Sequence, residues 1–193
     1  MIFLTSDTHF YHQNILGYTK RPWASLPEMH EGLIQNYNKE VGTEDEVYFI
    51  GDVMMGGKKD MPWRMEAIFN RLNGTKYLVK GNHDKNWEEP WFNKHFIWVK
   101  DYYELRASKS TMLILGHYPF ISWHGMGRGA INGHGHCHGN IDQVNLRTRR
   151  IDVGVDAMYS NFAPISVDKI LKIMEQRKTE FVDNHGRTET EEL

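Results

Sequence analysis

The stretch "MIFLTSDTH", residues 1–9, sets the pattern from which the fold can be inferred: four apolar residues lead into a polar end that carries Asp7 and His9. Similar runs follow along the chain, namely "EVYFIGD" (46–52), "KYLVKGNHD" (76–84), "TMLILGH" (111–117) and "GAINGHGHCH" (129–138). Each run is short, rich in β-branched or aromatic residues and bounded by glycine or turn formers, so each predicts a buried strand. Ligand-type side chains therefore come at the strand ends.

Helices are predicted between the strands. The apolar residues Met29, Leu33, Tyr37 and Val41 recur at i, i+4 between the first two strands, and Met65, Ile68, Phe69 and Leu72 form a similar stripe between the second and third. A last helix is predicted in "SVDKILKIMEQRK" (166–178), with Ser166 as its N-cap. This alternation favours an α/β sheet with helices on its faces, in which ligands collect at the carboxyl ends of the strands.

Composition is that of an ordinary globular protein. A chain of 193 residues with 40% apolar residues is long enough for a full core, and we predict one domain over residues 1–176 and a frayed polar tail over 177–193. No apolar run approaches the roughly 20 residues of a membrane span, and no secretory signal is visible. With a single cysteine, Cys137, these features predict a cytoplasmic protein without membrane association. The net charge of −2 argues against wholesale nucleic-acid binding.

The polar strand ends contain a set of residues that suits divalent metals. In chain order they are Asp7 and His9, Asp52, Asn82 with His83 and Asp84, His117, and the histidines 134, 136 and 138. Carboxylate, amide and imidazole ligands without a thiolate pair favour borderline metals such as Mn, Fe, Zn, Ni or Co. The number of ligands fits two ions better than one, with a shared carboxylate between them.

The ordered set D-x-H, G-D, G-N-H-D, G-H and G-H-x-H, spanning residues 7–138, resembles the calcineurin-like metallophosphoesterase superfamily, in particular its small single-domain bacterial or phage-type members. The resemblance implies a four-layer α/β/β/α sandwich and a dinuclear enzyme in which a metal-bridging water or hydroxide attacks a phosphodiester or phosphomonoester. It assigns Asp7, His9, Asp52 and one late histidine to the first metal. Asp52, Asn82, His117 and another late histidine would hold the second, with Asp52 as the bridge. Manganese is the leading candidate, and iron, zinc, nickel or cobalt are alternatives.

The late histidines can be matched to the G-H-x-H motif in two frames, "GHGH" (133–136) and "GHCH" (135–138). The second is preferred because "HGHCHG" is similar to the H-G-H-x-H-G form of small members. In that frame His136 binds the second metal, His138 binds the first and His134 is an outer-shell residue. Strand alternation would place all three on one face, so the first frame stays open.

Catalytic roles follow from the same resemblance. His83 is the candidate general acid for the leaving oxygen, and Asp84 is expected to orient its ring. His12 could face the substrate phosphate or be an ordinary surface histidine. His30 is interpreted as solvent-facing or locally structural.

The sequence leaves the substrate open. After Asp52 the chain lacks the family's frequent G-D-x-x-D-R pattern, which argues against a protein phosphatase; Lys58, Lys59 or Arg64 could replace the missing arginine or belong to a solvated loop. Tyr118, Phe120 and Trp123 could stack on a base, although packing is the simpler interpretation. "RTRR" (147–150) is interpreted as an exposed strand or hairpin, with a nucleic-acid patch as the alternative.

The expected partner is a phosphate-ester substrate, which could be a nucleotide or an oligonucleotide, and no obligate protein partner is indicated. Two alternatives to a general phosphoesterase remain. One is a nuclease or cyclic-nucleotide phosphodiesterase, and the other is a non-catalytic metal-dependent scaffold.

Overall fold

The computed structural model describes residues 1–56 and 59–179, which form two sheets and six helices. The strands are β1 (Ile2–Thr5), β2 (Glu46–Phe49), β3 (Thr75–Val79), β4 (Val99–Lys100), β5 (Tyr103–Arg106), β6 (Met112–Leu115), β7 (Ile131–His134), β8 (Arg150–Asp152) and β9 (Ile165–Ser166). The helices are α1 (Ile15–Tyr18), α2 (Leu26–Glu40), α3 (Met61–Phe69), α4 (Pro90–Asn93), α5 (Asp142–Asn145) and α6 (Val167–Met174). A 3₁₀ turn covers Met126–Arg128.

The first sheet has the strand order β4-β3-β2-β1-β9, and the second has the order β5-β6-β7-β8. Strands β1 to β4 pair in parallel, and β9 joins β1 antiparallel. In the second sheet β6, β7 and β8 are parallel and β5 is antiparallel. Parallel neighbours need a crossover, and α2 and α3 supply those between β1, β2 and β3 as the sequence predicts.

Two buried clusters separate the layers, because successive side chains of a strand point to opposite faces. In β2, Val47 and Phe49 pack with residues of α2 and α3, whereas Tyr48 belongs to a second cluster shared with the other sheet. In β6, Leu113 and Leu115 point into that second cluster. Both sheets are therefore covered on two faces, which explains why their strands read as nearly continuous apolar runs.

The outermost layer, on the far side of the second sheet, is built from short elements. Ile114 packs there against Trp123, Met126 and Ala130, which lie in and around the 3₁₀ turn. Helix α5 packs beside β8. The predicted α/β/β/α architecture is confirmed: α2 and α3 cover the outer face of the first sheet, and the segment around the 3₁₀ turn covers the outer face of the second.

The helix caps follow the sequence signals. The side chain of Ser25 accepts a hydrogen bond from the backbone N–H of Glu28 at the start of α2. Ser166 does the same for the N–H of Lys169 at 3.2 Å, so its predicted role as the N-cap of α6 is confirmed. The longest helix, α2, has 15 residues. Within the described part of the chain, no helix combines the length and the hydropathy that a membrane span requires.

Residues 180–193 of the predicted tail lie outside the described residues. Arg177, at its start, donates to the carbonyl of Asn145 at 2.9 Å, so the fold extends at least to this side chain. The domain boundary at residue 176 stays a prediction.

The two sheets meet at the carboxyl ends of β1 and β8. Ser6 forms a parallel bridge with Gly154, and the N–H of Val155 donates to the carbonyl of Ser6 at 3.0 Å. The loops after β1, β2, β3, β6 and β7 therefore gather at one edge of the molecule. Close approach there depends on small residues: a Cβ at Gly135 would collide with Ser6 and Asp7.

Candidate metal centre

Two groups of ligand-type side chains lie at this shared edge. Asp7, His9 and His138 form one, which we call the first group, and Asp52, His117 and His136 form the other, the second group. Within each group the ligand atoms lie within 4.8 Å of one another. The residues come from loops up to 131 positions apart in the chain, so the tertiary fold alone brings them together.

Asp52 adjoins both groups. Its Oδ2 lies 3.6 Å from Nε2 of His9 in the first group and 3.4 Å from Nε2 of His117 in the second. Its other oxygen, Oδ1, accepts the backbone N–H of His83 at 2.8 Å. This leaves Oδ2 facing the space between the groups, where the sequence predicts a bridging carboxylate.

The backbone is unusual at these residues. Among the residues that the structure describes, nine that are not glycine have positive φ, and five of them belong to the two groups. These five are Asp7 (56°), His9 (46°), Asp52 (53°), His136 (67°) and His138 (48°). A left-handed conformation is costly for residues with a Cβ and tends to cluster at functional sites. Strain concentrated at the predicted ligands supports a role for them beyond packing.

The first group contains buried polar atoms that lack hydrogen-bond partners among the described residues: Oδ1 of Asp7 and both ring nitrogens of His9. Burial raises the pKa of the Asp7 carboxyl to about 7 and lowers the pKa of His9 to about 3. Buried groups without partners are expensive unless a ligand compensates them. A divalent cation would satisfy all these atoms, and carboxylate with neutral imidazole is a suitable donor set for it.

In the second group, a backbone carbonyl holds one histidine. Nδ1 of His117 lies 2.7 Å from the carbonyl oxygen of Ile50, and Nε2 lies 3.1 Å from Oδ1 of Asn82. Burial alone would lower the pKa of His117, but Asp52 and Asp7 outweigh it and raise the pKa to about 9. Burial likewise acts against the charge of Asp52, yet His117 brings the pKa of Asp52 down to about 2. Cations compete with protons for imidazole nitrogens, and the same carboxylates that favour a proton on His117 would favour a divalent cation in its place.

The structure separates the three late histidines. Strand β7 ends at His134, which is buried and whose Nε2 accepts from Nδ2 of Asn145 at 3.0 Å. His136 and His138 follow in a turn with positive φ and enter the second and first groups respectively. The expectation that all three share one face of a strand is wrong, because the strand stops before the second of them. This arrangement corresponds to the "GHCH" frame, and His134 contacts α5 rather than either group.

His83 lies at the rim of the centre. Its Nε2 is 3.9 Å from Oδ2 of Asp52, its ring centroid is 5.3 Å from that of His9, and its side chain is 35% exposed. The predicted role of Asp84 is wrong. Asp84 accepts backbone N–H groups of Asp52 and Gly81 at 2.8 Å and of Val53 at 3.1 Å. Among the described contacts none joins Asp84 to the His83 ring, so Asp84 braces the two loops that carry Asp52 and His83.

Two further aromatic side chains flank the centre. The ring of His12 lies 5.3 Å from that of His9 and 6.4 Å from that of His83, which places it beside the first group. The exposed ring of Tyr118 lies 4.6 Å from that of His136.

Trp123 is buried and donates to the carbonyl of Ala130, and Phe120 packs in the outer layer. For these two residues the packing interpretation holds.

Among the described basic residues, Arg149, Arg150 and Arg64 contact residues outside the two ligand groups. Arg149 donates to the carbonyl of Gly129 at 3.0 Å, and Arg150 donates to the carbonyl of Phe120 at 2.8 Å, in a turn that leads into β8. The expectation of an exposed strand or hairpin at 147–150 is therefore wrong. Arg64 lies over the ring of Tyr11 at 4.7 Å, and Lys58 lies outside the described residues.

Sequence reasoning missed Arg21 and Asp156. Oδ2 of Asp156 lies 2.8 Å from Nδ1 of His138, and its carboxylate receives two hydrogen bonds from the buried Arg21. Asp156 ends the apolar run 153–155, so the strand-end pattern that located the other residues also marks it. Arg21 stands in a loop without any comparable signal.

Comparison with known proteins now identifies the class. A family model described as calcineurin-like phosphoesterase matches residues 1–191. The chain belongs to this family, and the family resemblance inferred from the motifs is confirmed.

Similar proteins are found in archaea, phages and bacteria. The chain is 34% identical to an uncharacterized protein of Methanocaldococcus jannaschii, over 92% of this chain and 93% of that protein. It is 28% identical to the Gene 66 protein of Mycobacterium phage D29, over 82% of this chain and 89% of that protein. Among solved structures, a protein of unknown function from Aquifex aeolicus matches with a TM-score of 0.69 and 28% identity, over 90% of this chain and 98% of that one.

Proposed function

We propose that the protein is a dinuclear metal-dependent phosphoesterase that hydrolyses a phosphodiester or phosphomonoester. The observation that carries this proposal is the pair of ligand groups that meet at Asp52. Membership of the calcineurin-like phosphoesterase family supports the same reaction class.

In this proposal, Asp7, His9 and His138 hold one divalent ion, and His117, His136 and Asn82 hold the other, with Asp52 shared. A pair of ions held in this way would neutralise phosphate oxygens and lower the pKa of a water molecule for in-line attack. The protein contributes fixed positions. Nδ1 of His117 is held by the carbonyl of Ile50, so Nε2 of the same ring is directed into the centre.

We assign the general acid role to His83. Its backbone N–H is fixed on Oδ1 of Asp52, while its ring extends to the partly exposed rim. A proton donor at the rim can reach the leaving oxygen of a substrate whose phosphate lies between the two groups. In the same proposal His12, whose ring lies 6.4 Å from that of His83 and 5.3 Å from that of His9, contacts the substrate.

The first experiment is hydrolysis of bis-p-nitrophenyl phosphate and p-nitrophenyl phosphate by metal-stripped protein. Each assay is repeated after reconstitution with Mn²⁺, Ni²⁺, Zn²⁺ or Fe²⁺. We expect activity only after metal is restored, and preference for one ester decides between phosphodiesterase and phosphatase. The Asp52→Asn variant, purified in parallel, controls for contaminating phosphatases. Absence of hydrolysis with every metal would contradict the proposal and favour the non-catalytic scaffold.

A nucleotide phosphodiesterase or nuclease is the second candidate, and one surface feature favours it. A shallow, open cleft of about 460 Å³ is formed by residues that follow His12 in the chain, namely Gln13, Asn14, Leu16, Gly17, Tyr18, Trp23 and Ala24. The ring of Tyr18 contacts that of His12 at 6.1 Å, which connects the cleft to the first group. Aromatic faces beside amide side chains suit a nucleobase, which stacks on the former and forms hydrogen bonds with the latter.

The Gly17→Leu substitution tests this candidate, because a Cβ at Gly17 meets no atom within 4 Å and a larger side chain would occupy part of the cleft. We expect kcat/KM for a dinucleotide to fall about tenfold, the loss of one base-stacking contact. The value for methyl p-nitrophenyl phosphate should stay unchanged. Equal values for the dinucleotide before and after the substitution would exclude the cleft as a base site.

The salt dependence of oligonucleotide hydrolysis is a second test. A steep fall in kcat/KM with added salt would indicate a nuclease, and a weak dependence would indicate an enzyme of small esters.

A further inference from the structure

The guanidinium group of Arg21 is buried beside the first group, and all five of its N–H donors are used. Nε and Nη2 donate to the two carboxylate oxygens of Asp156, each at 2.8 Å. Nη2 also donates to the carbonyl of Asp7 at 2.7 Å, and Nη1 donates to the carbonyl of Thr8 at 2.8 Å and to Sδ of Met29 at 3.3 Å. Arg21 thus fixes both the backbone at Asp7 and the carboxylate of Asp156.

Asp156 in turn orients the ring of His138. Its Oδ2 lies 2.8 Å from Nδ1 of His138, which leaves Nε2 of the ring 4.0 Å from Oδ1 of Asp7, inside the first group. The buried guanidinium of Arg21 neutralises the carboxylate of Asp156 through two hydrogen bonds, so the two residues form a buried ion pair.

The chain Arg21–Asp156–His138 joins parts of the molecule that are far apart in sequence. Asp7 follows β1, His138 follows β7 and Asp156 follows β8, so these residues belong to loops of both sheets. A carboxylate on Nδ1 orients an imidazole and makes its Nε2 more basic, and both effects strengthen cation binding. In the second group, His117 has a neutral carbonyl in the corresponding position.

We propose that Arg21 and Asp156 are positioning residues that set the cation affinity of the first group independently of the second. Asp156 directs Nε2 of His138 toward Asp7, and Arg21 holds Asp156 against the backbone of residues 7–8. This inference rests on the proposed function, because it requires that both groups bind divalent cations.

The test measures Mn²⁺ binding by calorimetry and metal content after gel filtration. Asp156→Asn retains an oxygen that accepts the Nδ1–H of His138 but removes the negative charge. The wild-type protein should bind two equivalents. The variant should bind one equivalent at the wild-type affinity and the other about 10- to 100-fold more weakly.

Removing Asp156 leaves the charge of Arg21 buried without its partner, which could prevent folding. The double variant Arg21→Met with Asp156→Asn removes both charges and keeps a long apolar side chain beside Met29. It should fold, as judged by circular dichroism and a cooperative thermal transition, and should show the same selective weakening of one equivalent.

The matched control is Glu31→Gln. Arg71 and Glu31 form a bidentate pair with distances of 2.6 and 2.7 Å on the exposed surface, where the pair touches neither group. This variant should bind both equivalents normally.

Failure of the proposed function and failure of this inference give different results. A wild-type protein that binds no Mn²⁺ would contradict the proposed function. If the wild type binds two equivalents but both Asp156 variants also bind two at unchanged affinity, or lose both equally, then Arg21 and Asp156 have only a structural role and the inference is overturned.

Discussion

The two groups of candidate ligands differ in burial and in the partners that orient their histidines. In the first group Asp7 and His9 are buried, and His138 is held by the Asp156 carboxylate with Arg21 behind it. In the second group His117 is held by a backbone carbonyl, and His136 is exposed beside Tyr118. Asp52 and His117 are as buried as Asp7 and His9, so the groups differ in exposure at their third ligands: His136 is exposed and His138 is partly buried.

This difference bears on two properties of a dinuclear centre: how firmly each group retains a cation and how accessible each group is from solvent. A cation bound in the first group would compensate buried atoms that have no partner among the described residues, so it would also stabilise the folded protein. In the second group the ring of His136 is exposed to solvent beside Tyr118. We therefore expect the first group to retain its cation more firmly and the second to respond more to changes at the surface.

The largest loss of activity is expected from Asp52→Asn. Because Asp52 adjoins both groups, this substitution should weaken cation binding in both of them. An amide binds divalent cations more weakly than a carboxylate and cannot bridge them with a full charge. We expect phosphodiester hydrolysis to fall by about 10⁴-fold or more, equivalent to about 5 kcal/mol or more of transition-state stabilisation. Steady-state kinetics and metal content measure the two effects together. Near-wild-type turnover in this variant would exclude a bridging role.

His83→Gln comes next. Its ring lies at the rim and contributes to neither group, so cation binding should persist while turnover falls about 10²- to 10³-fold. The loss should be smallest for esters with good leaving groups, such as p-nitrophenolate, which need little protonation. His124→Asn is the matched control, because His124 is an exposed histidine that contacts Glu104 instead of the centre. A parallel loss of metal from His83→Gln would assign this residue to binding.

Chelation compares the release of cations from the two groups in the wild-type protein. With EDTA in excess, we expect one of two Mn²⁺ equivalents to leave about ten times faster than the other, because the exposed His136 gives the chelator access to the second group. The His136→Ala variant should lack the fast-leaving equivalent and keep the slow one. Release of both equivalents at one rate would show that burial of the ligands does not control exchange.

The smallest effect at neutral pH is expected from His30, which supports the loop of the first group. Its Nε2 accepts the backbone N–H of Tyr11 at 2.9 Å, and burial lowers its pKa to about 4. The unfolded chain takes up this proton near pH 6.5, whereas the folded chain does so only near pH 4. The unfolded state therefore binds more protons in this range, and the free energy of unfolding falls as the pH falls from 6.5 to 4, by up to about 3 kcal/mol.

His30→Gln keeps a hydrogen-bond acceptor that does not titrate. Urea unfolding of both proteins from pH 7.5 to 4 isolates this contribution as the difference between their stability curves, since the other titrating groups are common to both. The variant should lose less stability on acidification. Two parallel curves would mean that His30 is not neutral in the folded protein.

Local patterns predicted most of the fold. Apolar runs of four to six residues became β1, β2, β3, β6 and β7, and the stripe from Met29 to Tyr37 became the buried face of α2. These elements follow from periodicity, which depends only on the direction in which side chains leave the backbone. The position of the candidate centre followed from the same pattern, because parallel strands place their carboxyl ends at one edge.

The errors have a common physical cause. The family resemblance implied that Asp84 orients the ring of His83; in the structure the Asp84 carboxylate accepts hydrogen bonds from amides of another loop. The three late histidines alternate in sequence, but β7 ends at the first of them. In both cases a backbone conformation outside the regular elements decided where the side chain points.

The sequence by itself determined the family, the order of the strands and helices and the kinds of ligand atoms, because these depend on residue type and short-range spacing. The tertiary structure alone decided which histidines join which group, and it brought Arg21, Asp156 and His138 together from separate loops. Contacts of this kind depend on where several loops end in space. The left-handed backbone at His136 and His138 follows no periodic pattern in the sequence. Nor do the hydrogen bonds by which Arg21 joins the loops after β1 and β8.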